Sequence, residues 1–156
     1  MSAELDELYQ SIILDHNRRP KNFREMDDAT ASAEGMNPLC GDQLKVWVKI
    51  DGDTLADVSF KGQGCAISKA SASMMTQAVK GKTRAEAERL FDDVHALVTG
   101  HPTGADVGSL KALAGVSRFP LRVKCASLAW HAMKSALDGG GQVTTDDGRG
   151  ADGEGA

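Results

Sequence analysis

The chain lacks the paired cysteines of an ordinary structural zinc site. Its three, Cys40, Cys65 and Cys125, stand far apart with no C-x₂-C among them. Three is also an odd number, so they cannot all be joined in intramolecular disulfides. Few, widely spaced cysteines in a reducing compartment point to metal or thiol chemistry. No apolar run approaches the roughly 18 residues needed to span a bilayer, which argues against a membrane protein. The opening "MSAELDELYQ" has neither the basic n-region nor the apolar h-region of a signal peptide, so a cytoplasmic location is expected. Basic excess is missing too. The net charge is −4, and five acids against one base from Asp138 onward account for it, leaving 17 of each sign in the body. A neutral body argues against a nucleic-acid binder.

What is present is 156 residues with 41% hydrophobic content, enough for one domain with a core. The domain is expected over residues 1–137. Residues 138–156, containing "GGGQVTTDDGRGADGEGA", have almost no apolar content and are expected to form a disordered, acidic, Gly-rich tail. Leu5, Leu8, Tyr9, Ile12 and Ile13 repeat at helical spacing, and Pro20 ends that pattern. Ala29, Ala31 and Ala33 alternate weakly. Leu44, Val46, Val48 and Ile50 alternate cleanly before the turn residues "DGDT", and Leu55, Val58 and Phe60 follow. The result is a meander of about three antiparallel strands. After Gly64 the period becomes helical, with Ile67, Ala70, Ser71, Met74, Met75 and Ala78 on one face. A capping-box pattern at Thr83–Glu86 opens another helix, with Leu90, Phe91, Val94 and Leu97 facing inward. "HPTGADVG" reads as loop and "SLKALAG" as at most a short helix. Pro120 suits the first turn of a last helix with Leu128, Ala129, Ala132, Met133 and Ala136 inward. Strands early and helices late predict an α+β domain, its helices packed on one face of a small antiparallel sheet.

The cysteines fall at element boundaries. Cys40 precedes a strand, Cys65 opens a helix after a Gly-rich turn, and Cys125 lies near the start of the last helix. Such positions can converge at one end of a sheet. A helix N-terminus favours thiolate at Cys65, and Lys124 and Arg122 favour it at Cys125. Gly62 and Gly64 clear space around the Cys65 sulfur. In an extended segment residues i and i+2 share a side, so Cys40 and Asp42 are expected to face one point. Cys40, Asp42, Cys65 and Cys125 then form a Cys₃Asp set suited to tetrahedral Zn²⁺. An iron–sulfur cluster is the alternative, although Cys₄ ligation is more usual there. Against both stands the ordinary fate of a lone cysteine, which is a small buried hydrophobe; Asp42 alone would be a turn or cap residue.

Other polar and soft residues carry plainer readings. His16 belongs at a helix end, and His95, His101 and His131 show no ligand spacing. Met74 and Met75 look like core filling. Trp47 and Trp130 suit packing or partner contact. Ser68, Ser71 and Ser73 suit close helix packing, with no base in the pattern to make them nucleophiles.

"CGD", "GQGCAIS", "RVKCASLAW" and the N-terminal "LYQSIILDHNRRPKNF" resemble the U-type scaffold family (NifU N-terminal domain, IscU, SufU) over roughly residues 4–137. Two departures resemble the SufU branch. IscU-type proteins have a Leu-Pro-Pro-Val-Lys chaperone motif and a histidine before the last cysteine, where this chain has "RFPLRVKC" with Lys124. The segment between Cys65 and Cys125 is also longer. The resemblance implies a zinc-dependent sulfurtransferase that accepts persulfide sulfur from a SufS-type, PLP-dependent cysteine desulfurase and stimulates it. It implies zinc on Cys40, Asp42, Cys65 and Cys125, Cys40 as the acceptor, and a partner histidine that displaces Cys40 from zinc. Arg122 would orient ligands or support thiolate charge. A downstream iron–sulfur assembly scaffold would receive the sulfur. The alternative within the family is a scaffold on which a [2Fe–2S] cluster is built on the same ligands; a third reading makes the zinc purely structural. A desulfurase partner is needed in any case, since no cofactor motif for cleaving a C–S bond is present.

Overall fold

The computed structural model describes residues 3–38, 40–101, 107–139 and 141–144. Helix α1 (Ala3–Arg18) leads into three strands, β1 (Ala31–Asn37), β2 (Asp42–Asp51) and β3 (Thr54–Gln63). Helices α2 (Ala66–Val79) and α3 (Arg84–Val98) follow, then a 3₁₀ segment (Gly108–Arg118), helix α4 (Pro120–Leu137) and strand β4 (Gly141–Thr144). The sheet order is β3-β2-β1-β4; β3 and β2 pair antiparallel, as do β2 and β1, and β4 runs parallel to β1. The expected α+β class and antiparallel meander are what the chain forms.

Period-2 patterning decides which face is covered. Leu44, Val46 and Val48 of β2 are buried, opposite Gly62, Phe60 and Val58 of β3. Helix α4 lies across β1 and β2, and α2 packs on β3 and α4. Met74, Met75, Leu128 and Met133 close that layer with almost no exposure. Trp130 is core as well: its indole N–H donates to Ser71 Oγ (3.2 Å), and the Ser71 hydroxyl donates to the Ala126 carbonyl (2.6 Å). A buried indole needs such a partner. Register shifts between Lys49 and Ile50, which leaves Ile50 half-buried at the end of its alternation.

The capping box forms as read: Thr83 accepts from the Glu86 N–H, and Glu86 accepts from the Thr83 N–H. Pro120 occupies the first turn of α4. In α1, Tyr9, Ile12 and Ile13 pack on the core, whereas Leu8 stays 53% exposed at the edge of the stripe. The side chain of Leu5 lies outside the described residues, as does most of the "HPTGADVG" loop. "SLKALAG" belongs to a longer piece than expected, since the 3₁₀ segment runs to Arg118 and buries Leu110, Leu113 and Val116. The tail reading from Asp138 onward also meets a difference. Gly141–Thr144 pairs with Ala33–Met36, because a chain leaving α4 beside the free edge of β1 satisfies its backbone groups there whatever its side chains. Residues 145–156 lie outside the described residues.

Candidate metal centre

Asn37 and Asp42 are register partners, so β1 and β2 are joined by a four-residue hairpin loop with Cys40 in it. The Cys40 N–H donates to the Asn37 carbonyl (3.2 Å), and the Gly41 N–H donates to that of Pro38 (3.3 Å). Gly41 has φ +72°, a left-handed conformation that costs a glycine little. Cys40 and Asp42 do meet, but not for the expected reason. The segment is a tight turn rather than an extended strand, and the turn swings the sulfur over the start of β2.

From the other side of the sheet, β3 delivers Cys65 as the N-cap of α2. Its sulfur accepts the Ser68 N–H at 3.5 Å, one of the donors a helix start leaves unpaired. Cys125 sits in the second turn of α4, fully buried. Its sulfur is 3.2 Å from Cys40 Sγ. One carboxylate oxygen of Asp42 and the sulfurs of Cys40 and Cys125 all lie within 4.8 Å of one another. Cys65 stands beside this trio rather than inside it. It is tied in through its backbone N–H, which donates to Asp42 Oδ1 (2.8 Å), and through a hydrogen bond with Cys125.

These contacts divide the thiols. A hydrogen bond between Cys125 and Cys65, with help from the Ser68 and Ile67 N–H groups, brings Cys65 down to about 6; burial and the Asp42 charge oppose the shift. Cys125 moves the other way. Its bond to Cys65, then burial, then its bonds to Cys40 and Asp42, hold its proton on. Lys124 and Arg122 were expected to favour thiolate at Cys125, but the bond to Cys65 and the burial of the sulfur act in the other direction. Arg122, on the exposed first turn of α4, faces the cluster from solvent. Its guanidinium is held more firmly protonated by hydrogen bonding to Cys125 and by the charge of Cys65.

The glycines have a different job from the one read in the sequence. A Cβ on Gly64 would stand 2.6 Å from Asp42 Oδ1, and one on Gly62 would collide with the Gln43 carbonyl. They let β3 and the Asp42 carboxylate come close, rather than opening a path to the Cys65 sulfur. The donor set fits a divalent zinc ion chemically: three sulfurs and a carboxylate in a buried, oxygen- and sulfur-lined corner. Two thiolates on one tetrahedral zinc stand about 3.8 Å apart, given bonds of about 2.3 Å. The 3.2 Å between Cys40 and Cys125 therefore has to open by roughly half an ångström, a small movement for a residue on a hairpin loop.

One residue of this corner escaped the sequence reading. Asn37 is fully buried, and its Nδ2 donates to Asp42 Oδ2 (3.2 Å) and to Cys125 Sγ (3.5 Å). Asn before Pro reads as a turn signal, and nothing in the linear pattern distinguishes a turn asparagine from one aimed at a site. The histidines join no group of metal-ligand side chains among the described residues. His16 is buried against Ser73 (2.7 Å), so a base does stand beside one of the serines; with Ser73 wholly enclosed, that pair holds α1 to α2. His131 packs edge-on against Phe91. Beside Arg122 a cavity of about 590 Å³ opens, lined by Tyr9, Ile13, Ile67, Val116 and Phe119 among others. Phe119 and Leu121 are themselves more than half exposed.

Residues 8–139 match the family model of the NifU-like N-terminal domain. A zinc-dependent sulfurtransferase SufU from Bacillus subtilis is 42% identical over 141 residues, covering 87% of this chain and 93% of that protein. The iron–sulfur cluster assembly scaffold protein IscU of Streptococcus pyogenes is 42% identical over 137 residues, covering 86% of each. Among solved structures, a protein of Fervidobacterium islandicum described as an iron–sulfur cluster assembly scaffold for the SUF system superposes with a TM-score of 0.79. It is 32% identical, and the match covers 87% of this chain and 99% of that one.

Proposed function

This chain belongs to the NifU-like N-terminal domain family, and from that premise we propose that it is a zinc-dependent sulfurtransferase of iron–sulfur cluster assembly. It takes the terminal sulfur of a cysteine desulfurase persulfide onto Cys40, in the cytoplasm, and delivers it onward to an assembly scaffold. The observation that carries the reading is the convergence of Cys40, Asp42 and Cys125 within 4.8 Å, with Cys65 hydrogen-bonded at the edge. The name of the Bacillus subtilis relative supports the choice of metal.

Zinc would be held by Cys40, Asp42, Cys65 and Cys125, and when bound it keeps the sulfurs deprotonated at neutral pH. The protein's own part is positional. Cys40 and Cys65 are both half-buried while Cys125 is enclosed, and of the two half-buried sulfurs Cys40 stands on the hairpin loop, so an incoming persulfide would meet Cys40. In the transfer, the Cys40 thiolate attacks the terminal sulfur of the donor persulfide. A new S–S bond forms at Cys40, the donor's S–S bond breaks, and its electron pair leaves on the donor cysteine as thiolate. No external oxidant is needed. Arg122 stands where negative charge is exchanged and would steady both thiolates, flanked by the exposed Phe119 and Leu121 that a partner would cover.

The test is desulfurase turnover with and without this protein, zinc-loaded and zinc-stripped, beside Cys40→Ala. Stimulation that needs both zinc and Cys40 is expected. Transfer undiminished in folded Cys40→Ala would leave zinc a structural role only. The scaffold reading rests on the Streptococcus pyogenes relative, named as a scaffold and equally similar. Metal analysis of anaerobically purified protein separates the two: stoichiometric zinc is the expected result, and a stable iron chromophore would favour the scaffold.

A further inference from the structure

A buried side-chain amide has two N–H donors to place, and leaving either without a partner is costly. Asn37 places one on Asp42 Oδ2 (3.2 Å) and the other on Cys125 Sγ (3.5 Å), from a position with no solvent exposure at the closing pair of the β1–β2 hairpin. The second oxygen of Asp42 is taken by the Cys65 N–H at 2.8 Å. Both carboxylate oxygens are thus gripped from opposite sides, by a strand side chain and by a helix start, so the carboxylate cannot rotate freely. Cys65 has the Ser68 N–H. Cys40 has no comparable anchor: among the described residues its sulfur is hydrogen-bonded by the Cys125 thiol alone.

The four side chains are therefore held unequally. We propose that Asn37 is a positioning residue that ties Asp42 and Cys125 to the sheet through its amide, leaving Cys40 as the sulfur free to detach. The inference rests on the reading of this corner as a metal site and adds to it a reason why one ligand is labile. An amide suits the position for its donors. An aspartate has almost the same shape, but it would turn acceptor oxygens toward a carboxylate and a sulfur at hydrogen-bonding distance.

The contrast between shape and donor capacity provides the test. Zinc affinity is measured by competition with a chromophoric chelator, and Co²⁺ d–d and sulfur-to-cobalt bands are recorded for wild type, Asn37→Ala, Asn37→Asp and Asn37→Ser. Far-UV circular dichroism monitors the fold. Loss of an outer partner of this kind weakens metal binding about ten- to a hundredfold. Asn37→Ala is expected in that range with shifted d–d bands, Asn37→Asp weaker still despite its matching shape, and Asn37→Ser, which keeps a short donor, between Ala and wild type. Wild-type affinity and bands in Asn37→Ala or in Asn37→Asp would overturn the role of Asn37 while leaving the metal site standing. Should Ala and Asp both lose the fold, Asn37→Ser decides: unaltered bands and affinity there overturn the proposal, and weakened binding supports it. A wild-type protein that binds neither zinc nor cobalt overturns the metal reading and this inference together.

Discussion

At the scale of single residues, the corner is governed by what can approach the Asp42 carboxylate. Gly64 is there because any side chain would press on Oδ1, the atom that receives the Cys65 N–H. Gly64→Ala is expected to displace the carboxylate, weaken zinc binding in a chelator competition and lower stability by about 1–3 kcal/mol, the usual cost of overpacking a tight site. Arg122 makes a different prediction because it is exposed and its partners are sulfurs. Arg122→Ala is expected to keep the fold and the metal but to slow persulfide uptake about tenfold, about the worth of one charge-assisted hydrogen bond. Arg122→Lys should recover part of it. Stopped-flow transfer assays with quantified zinc would check both, and unchanged uptake in Arg122→Ala would remove Arg122 from the chemistry.

At the scale of elements, α1 is held to α2 by a small polar relay. The Lys21 N–H donates to Ser73 Oγ (2.7 Å), and the same oxygen is hydrogen-bonded to His16 Nδ1 (2.7 Å). Burial lowers the His16 pKa from its usual 6.5, with Lys21 assisting and Asp15 opposing. The unfolded chain takes up a proton on this histidine below about pH 6.5, whereas the folded chain resists it. More protons are then bound in the unfolded state, so stability is full above that range and falls as pH drops toward the lowered folded pKa. Melting temperature measured from pH 7.5 to 5 should decline, and His16→Gln should flatten the slope. An equal decline in His16→Gln would assign the acid sensitivity elsewhere.

At the scale of the whole molecule, the four proposed ligand residues come from a hairpin loop, a strand start, a helix cap and a helix second turn, spread from Cys40 to Cys125. A metal held by all four would link binding to folding. Zinc at a thousandfold excess over its dissociation constant adds about 4 kcal/mol to the folded state. Chelation is expected to lower the melting temperature by many degrees, and Cys125→Ser should largely abolish the difference between loaded and stripped protein. Calorimetry with and without chelator measures it; identical traces would mean that the ion is not held by these elements together.

Much of this protein is decided locally and can be read along the chain. Alternation at Leu44, Val46 and Val48, the Thr83–Glu86 box and Pro120 each reflect interactions within a few residues, so strand, cap and helix start were all legible. The boundary positions of Cys40, Cys65 and Cys125 were legible for the same reason. What required the tertiary structure is everything that depends on one segment meeting another. The pairing of Gly141–Thr144 with an open strand edge is a backbone event that side chains do not announce. The Cys125 thiol is pushed up by its hydrogen bond to Cys65 and by burial, long-range effects that oppose its basic neighbours in sequence. Asn37 acquired its bond to Cys125 only when the hairpin closed against α4, since a hydrogen bond across 88 residues leaves no periodic trace.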